Sequence, residues 1–197
     1  MDEPATITAM KALRENAFIT VDDYLEGEER SEVKHEYIGG QVHAMAGASK
    51  DHNRIAMNLA SALGQRLKGT PCSVQMSDVK VHLSIADEEM FYYPDLMVTC
   101  DPRDSHPFFN QYPKVIIEVL SPTTEAIDRR EKLQNYRRIE MLEEYALVAQ
   151  DKMEVTVFRR ANKWQPEIAT KPEQALRLAS LGFEMPLSAV YEDVRFS

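Results

Sequence analysis

The chain has 197 residues, 44% of them hydrophobic, and a formal net charge of −9. That length and apolar content suffice for one buried core, so a single domain spanning 1–197 is expected, with residues 1–19 as a loose N-terminal arm. The acidic balance excludes an overall basic nucleic-acid binder, although a local basic groove stays compatible with it.

No apolar stretch is long enough to span a bilayer, and the amino end, with Asp2, Glu3, Lys11 and Arg14, does not read as a signal peptide. Cys72 and Cys100 have no C-x-x-C spacing, so neither a disulfide framework nor a zinc site is indicated. A cytoplasmic protein is the simplest expectation.

In chain order, Thr20-Val21-Asp22-Asp23 predicts a capped helix start, with acids in the first turn. His35–Ile38 and Gln41–Met45 flank Gly39-Gly40, the pattern of a β-hairpin with a two-residue turn. Ala56, Leu59, Ala60, Leu63 and Leu67 recur at helical spacing, and Gly69 with Pro71 ends the run, which predicts a helix over 50–68. Three strands are expected next, Val74–Leu83, Phe91–Thr99 and Val115–Leu120, the second reached through an acidic loop at Asp87-Glu88-Glu89. Ser121-Pro122-Thr123-Thr124 is a stop-and-cap signal for a helix through Arg138. A hairpin follows at Tyr145–Ala149 and Val155–Arg159, and the tail from Trp164 reads as short and irregular. The fold class is α/β in the mixed α+β sense, with one central mixed sheet between helices.

Two acids stand out because each interrupts a β-branched, apolar run: Asp95 in Tyr92–Val98 and Glu118 in Val115–Leu120. Burying an unpaired carboxylate costs several kcal/mol, so a partner is expected, and a divalent metal is a good one. On adjacent strands the two would begin an oxygen-ligand site for Mg²⁺, with Mn²⁺ as a substitute. Each acid taken alone also fits a strand end facing solvent. Glu36 is a third candidate, and a solvated hairpin face beside Lys34 is its alternative.

Phosphate chemistry needs a cation as well. Asp128, Lys132 and Tyr136 are spaced by four and share a helical face, so Lys132 can reach back to the Glu118 strand; an ordinary surface ion pair with Asp128 explains the same spacing. Lys80 is a rival, sharing a strand face with Asp78. His52 and Asn53 open the long helix, where a polar pair serves either as phosphate contacts or as caps. The chain contains no P-loop, no G-x-G-x-x-G and no G-x-S-x-G.

The ordered set Tyr93-Pro94-Asp95, Ile117-Glu118-Val119-Leu120-Ser121-Pro122, Asp128, Glu131-Lys132-Leu133 and Tyr136 resembles the Uma family of restriction-endonuclease-like proteins, within the PD-(D/E)xK nuclease superfamily. His35 to Val42, Met45 to Ser49 and His52-Asn53 agree as well, so the resemblance runs from about Thr20 to Arg159. It implies a restriction-endonuclease-like core, a Mg²⁺-dependent endonuclease acting on DNA, and Asp95, Glu118 and Glu36 as metal ligands. The lysine normally two residues after the second acid is replaced by Leu120, and the resemblance points to Lys132 as its substitute. His52, Lys80, Asp78 and Tyr136 are the further candidates for substrate contact. A homodimer would suit cleavage of both strands. A nuclease-fold interaction module without hydrolysis, and a hydrolase of another phosphate ester, are the competing readings.

Overall fold

The computed structural model describes residues 18–121 and 124–196. Most of the expected N-terminal arm, and Pro122-Thr123 of the stop-and-cap signal, lie outside the described residues. Helix α1 (Val21–Arg30) begins as expected, with the Thr20 side chain accepting from Asp23 N. Strands β1 (His35–Ile38) and β2 (Gln41–Ala44) pair antiparallel. Gly39 and Gly40 both take positive φ at their turn, a backbone state that costs glycine little.

Helix α2 (Lys50–Leu67) follows, then β3 (Ser73–Met76), β4 (Lys80–Ile85), β5 (Glu88–Tyr92) and β6 (Leu96–Thr99). Two stretches that read as single strands are therefore each split. Val74–Leu83 breaks between β3 and β4, and Phe91–Thr99 breaks at Tyr93-Pro94-Asp95. The supposed acidic loop is instead a tight β4–β5 turn at Ala86-Asp87, both with positive φ, and Glu88 and Glu89 already belong to β5.

After β7 (Phe109–Asn110) and β8 (Pro113–Leu120), helix α3 runs as α-helix at Glu125–Ile127, as a π turn at Asp128–Lys132 and as α-helix again at Leu133–Tyr136. Strands β9 (Glu144–Ala149) and β10 (Val155–Arg159) form the expected hairpin. The tail is more ordered than expected, with β11 (Pro166–Ala169), the β12 (Ala175–Leu178) and β13 (Phe183–Pro186) hairpin, and α4 (Leu187–Val190).

The strands make a mixed six-stranded sheet, β11-β10-β9-β8-β6-β3, a five-stranded sheet, β2-β1-β5-β4-β7, and the two-stranded β12-β13. The architecture is mixed α+β with mixed sheets flanked by helices, and the strand material divides between two main sheets because the chain crosses from one to the other at Tyr93–Asp95. Only β8 and β9 run parallel in the larger sheet, and α3 is their crossover.

Both faces of the larger sheet are covered. Val115, Ile117 and Val119 of β8 pack with Ile55, Leu59 and Leu63 of α2 and with Leu176, Leu178 and Leu187 of the tail. Full burial of each such side chain contributes about 1.5–3 kcal/mol. On the other face, Ile116 and Leu120 join Tyr92 and Val81 of the smaller sheet and Tyr136 of α3. Helix α1 closes the far side of the smaller sheet through Tyr24, Tyr37 and Phe91. Among the described residues no helix is long and apolar enough to cross a membrane.

The expectation for the cysteines is overturned: Cys72 and Cys100 form a disulfide. They follow directly on the antiparallel pair Ser73–Thr99 at the β3–β6 ladder, so they face each other across strands although 28 residues separate them in sequence. Disulfides are rare in reducing compartments, so cysteine usage no longer argues for the cytoplasm. Closing a loop of this length is worth roughly 3–4 kcal/mol in the chain-entropy description. Dithiothreitol, or Cys100→Ser, is expected to lower the melting temperature measured by circular dichroism, with no change in far-ultraviolet spectrum below the transition.

Glu144 is the anchor of the tail. Its buried carboxylate accepts from Arg159 Nε and Ala179 N at 2.9 Å each, and from the Ser180 hydroxyl at 2.6 Å. Glu144→Ala removes the buried partner of Arg159, which keeps Glu167 and the Arg177 carbonyl, and strands the Ala179 and Ser180 amides, so a loss of roughly 3 kcal/mol is expected in urea denaturation.

Candidate active site

Strand alternation sets the two acids side by side. On β8, residues 115, 117 and 119 face α2, so Glu118 shares the opposite face with Ile116 and Leu120. Leu96 pairs with Ile117 across β6 and β8, which brings Asp95, one step earlier, level with Glu118. The two then interlock. Asp95 N donates to Glu118 Oε2 at 3.2 Å, and Val119 N donates to Asp95 Oδ2 at 2.7 Å. Pro94 makes this possible: the chain leaves the smaller sheet there, so the Asp95 N–H is free of a ladder bond.

Lys132 enters from α3. Its Nζ lies 3.0 Å from Glu36 Oε1, 3.1 Å from Glu118 Oε1 and 3.3 Å from Asp128 Oδ1, with the side chain only 6% exposed. An ammonium has three protons, and three carboxylates surround this one. Tyr136, one helical turn on, donates its hydroxyl to Glu118 Oε1 at 3.1 Å. The i,i+4 spacing therefore marks a buried face, and the reading of a solvated surface pair does not hold. Glu36 is brought in by the β1–β2 hairpin, and Tyr93 N donates to its Oε1 at 3.4 Å. His52 reaches the site from α2, its Nε2 2.9 Å from Asp95 Oδ1.

Lys80 is elsewhere. Lys132 lies over the Tyr92 ring and Lys80 over the Tyr93 ring, on opposite faces of consecutive residues. Lys80 Nζ donates to Tyr93 Oη at 3.2 Å, and that hydroxyl donates to Glu28 Oε1 at 3.0 Å. Asp78 precedes β4 and pairs with Lys34 at the surface, so the expected Asp78–Lys80 strand face is not formed. Sequence reasoning missed the Glu28–His35–Tyr93 network, in which Glu28 Oε1 also accepts from His35 N at 2.8 Å. Asp128, read only as a helical partner of Lys132, is a buried member of the cluster.

The electrostatics follow from crowding. Burial, against the pull of Lys132, pushes the Glu118 carboxyl well above the usual range, and Asp128, Asp95 and Glu36 push the same way. Asp128 is raised for the same primary reason, its burial. Burial disfavours the charged form of Lys132, yet Glu118, Glu36 and Asp128 outweigh it and hold the ammonium protonated. Burial, with Glu118 beside it, keeps Tyr136 a neutral donor. Four carboxyl groups, Glu36, Asp95, Glu118 and Asp128, thus crowd around one ammonium, and burial favours the neutral form of Glu118 and Asp128.

Among the described residues no group of three or more His, Cys, Asp or Glu side chains forms a metal cage. Mg²⁺ does not need one, since one or two carboxylates with water and substrate phosphate usually complete its octahedron. Asp95 and Glu118 suit that ion by three tests. Their donors are hard oxygens, carboxyl groups outnumber the one ammonium, and Asp95 Oδ1, Asp95 Oδ2 and Glu118 Oε2 each engage a single partner among the described residues, leaving a lone pair. Asp128 Oδ1, although near Nζ, makes no hydrogen bond. A groove of ≈ 210 Å³ at the β10–β11 edge, lined by Val155, Val157, Ile168 and Arg177, contains none of these acids.

Comparison with known proteins agrees with this architecture. Residues 21–188 match the family model Uma2, described as "Putative restriction endonuclease". The chain is 35% identical over 180 residues to the "Uncharacterized protein slr1290" of Synechocystis sp., covering 90% of this chain and 94% of that protein. It is 34% identical over 144 residues to the "Uncharacterized protein sll1609" of the same organism, covering 72% of this chain and 80% of that protein. The crystal structure of a "putative nuclease belonging to DUF820" from Anabaena variabilis superposes with a TM-score of 0.72 at 18% identity, over 88% of this chain and 97% of that one, a likeness of fold. The chain belongs to the Uma2 family.

Proposed function

We propose that the chain is a Mg²⁺-dependent endonuclease that hydrolyses phosphodiester bonds in DNA, with Asp95 and Glu118 holding the ion. The observation that carries this reading is the interlock of two acids, each carboxylate accepting from the backbone beside the other. When bound, Mg²⁺ supplies Lewis-acid chemistry, activating water for attack and neutralising charge that builds on phosphorus. Lys132 orients Glu118 and carries the positive charge that the superfamily lysine would bring. Glu36 is the third acid, acting through Lys132, and Tyr136 fixes Glu118 from the helix side. Cleavage of both strands calls for two copies of the site, so we infer a symmetric homodimer as the working form.

One observation favours a second reading, an interaction module that keeps the nuclease fold without hydrolysis. The Lys132 ammonium is buried and ion-paired with three carboxylates, hence not presented to a substrate.

Supercoiled plasmid with Mg²⁺ or Mn²⁺ separates the two. Nicking is expected with the wild-type chain, and Asp95→Asn or Glu118→Gln should each reduce it about 100-fold or more while the melting temperature is retained. DNA retention without nicking, unchanged by chelator, would instead select the second reading. Lys132→Met leaves Glu36, Glu118 and Asp128 without their counter-ion, so a loss of roughly 3–5 kcal/mol in urea denaturation is expected. Added Mn²⁺ should recover part of that loss, because an ion that binds only the folded state stabilises it.

A further inference from the structure

The Asp95 carboxylate is held at both oxygens, and only one of its holders is backbone. Val119 N fixes Oδ2 at 2.7 Å, and His52 Nε2 meets Oδ1 at 2.9 Å. His52 stands in the first turn of α2, where its backbone N–H donates to the N-cap Ser49 Oγ at 3.0 Å. The Ser49 hydroxyl donates in turn to Gln150 Oε1 at 2.6 Å, at the end of β9. The imidazole therefore hangs from a backbone that is tied to the central sheet.

A carboxylate only accepts, so the proton of this contact resides on Nε2. Nδ1 is then buried with no hydrogen-bond partner among the described residues. Buried polar atoms are almost always paired, and a side chain kept only for packing would not leave one orphaned. What the imidazole gains at this position is the bond to Asp95.

We propose that His52 is the positioning residue of Asp95: its Nε2–H locks the carboxylate plane, so that the remaining lone pairs of Asp95 are presented to the cation in one orientation. This rests on the metal-dependent reading above. Groups that hydrogen-bond a metal-ligating carboxylate set its orientation, and their loss typically costs 10–100-fold in metal affinity.

The test is direct Mn²⁺ binding to the full chain, followed by electron paramagnetic resonance of free Mn²⁺, for wild type, His52→Ala, His52→Gln and Asp95→Asn, each with a thermal melt. Glutamine returns an N–H near the Nε2 position. Mn²⁺ affinity is expected to fall about 10–100-fold in His52→Ala and to be largely restored in His52→Gln, with Asp95→Asn abolishing it. Wild-type affinity in His52→Ala, or an equal loss in both His52 variants, overturns the positioning role alone. A wild-type chain that takes up no Mn²⁺ overturns the metal reading, and this proposal with it. Long-range ¹H–¹⁵N spectra of the wild-type chain give a readout that needs no variant to fold. A proton on Nε2 of His52 is expected, and a bare Nε2 with the proton on Nδ1 alone overturns the proposal.

Discussion

The ammonium of Lys132 is the point on which the site depends. It meets Glu36 from the hairpin of the smaller sheet, Glu118 from the centre of the larger sheet and Asp128 from its own helix. Three layers of the fold thus converge on one positive charge. Without it, carboxylates would be buried against one another at a cost of several kcal/mol each. The crossover helix packed over β8 places this ammonium beside Glu118. Leu120, on the strand, packs with Tyr136 and Leu147.

The second constraint is the passage from one sheet to the other at Tyr93-Pro94-Asp95. Tyr92 ends the ladder of the smaller sheet and Leu96 opens that of the larger. The residues between belong to neither. This is why an aspartate can sit among apolar neighbours with a free backbone N–H, and why that N–H is available to Glu118. A continuous strand through Asp95 would have spent the amide on a neighbour and left the carboxylates less firmly coupled.

Local features were legible in the sequence. The Gly39-Gly40 turn, the apolar stripe of α2, the Thr20 cap and the two acids in apolar runs all express periods or turn chemistry within a few residues. Contacts between distant segments were not. Nothing near Cys72 or Cys100 betrays their pairing, which only the β3–β6 register creates. Glu28, His35 and Tyr93 meet only once α1 folds over the smaller sheet. The tail did carry a signal that went unused. Leu176 and Leu178, then Phe183 and Met185, alternate about Gly182, whose φ of 56° suits a turn, but the strands are short and the polar residues between them hide the period. Ala86-Asp87 was hidden differently: aspartate is among the non-glycine residues enriched at positive φ, but alanine before it is not.

The π turn at Asp128–Lys132 has a consequence for what helix α3 can tolerate. Each residue of an α-helix advances the chain by about 100°, so dropping one from this wider turn would rotate everything beyond it by that angle. Tyr136 would swing off Glu118, and the crossover would meet β9 out of phase. The segment is keyed by its length, like a ward in a lock. Exchanges at outward positions such as Arg130 or Gln134 leave the key intact, whereas a single deletion would cut it to a different shape.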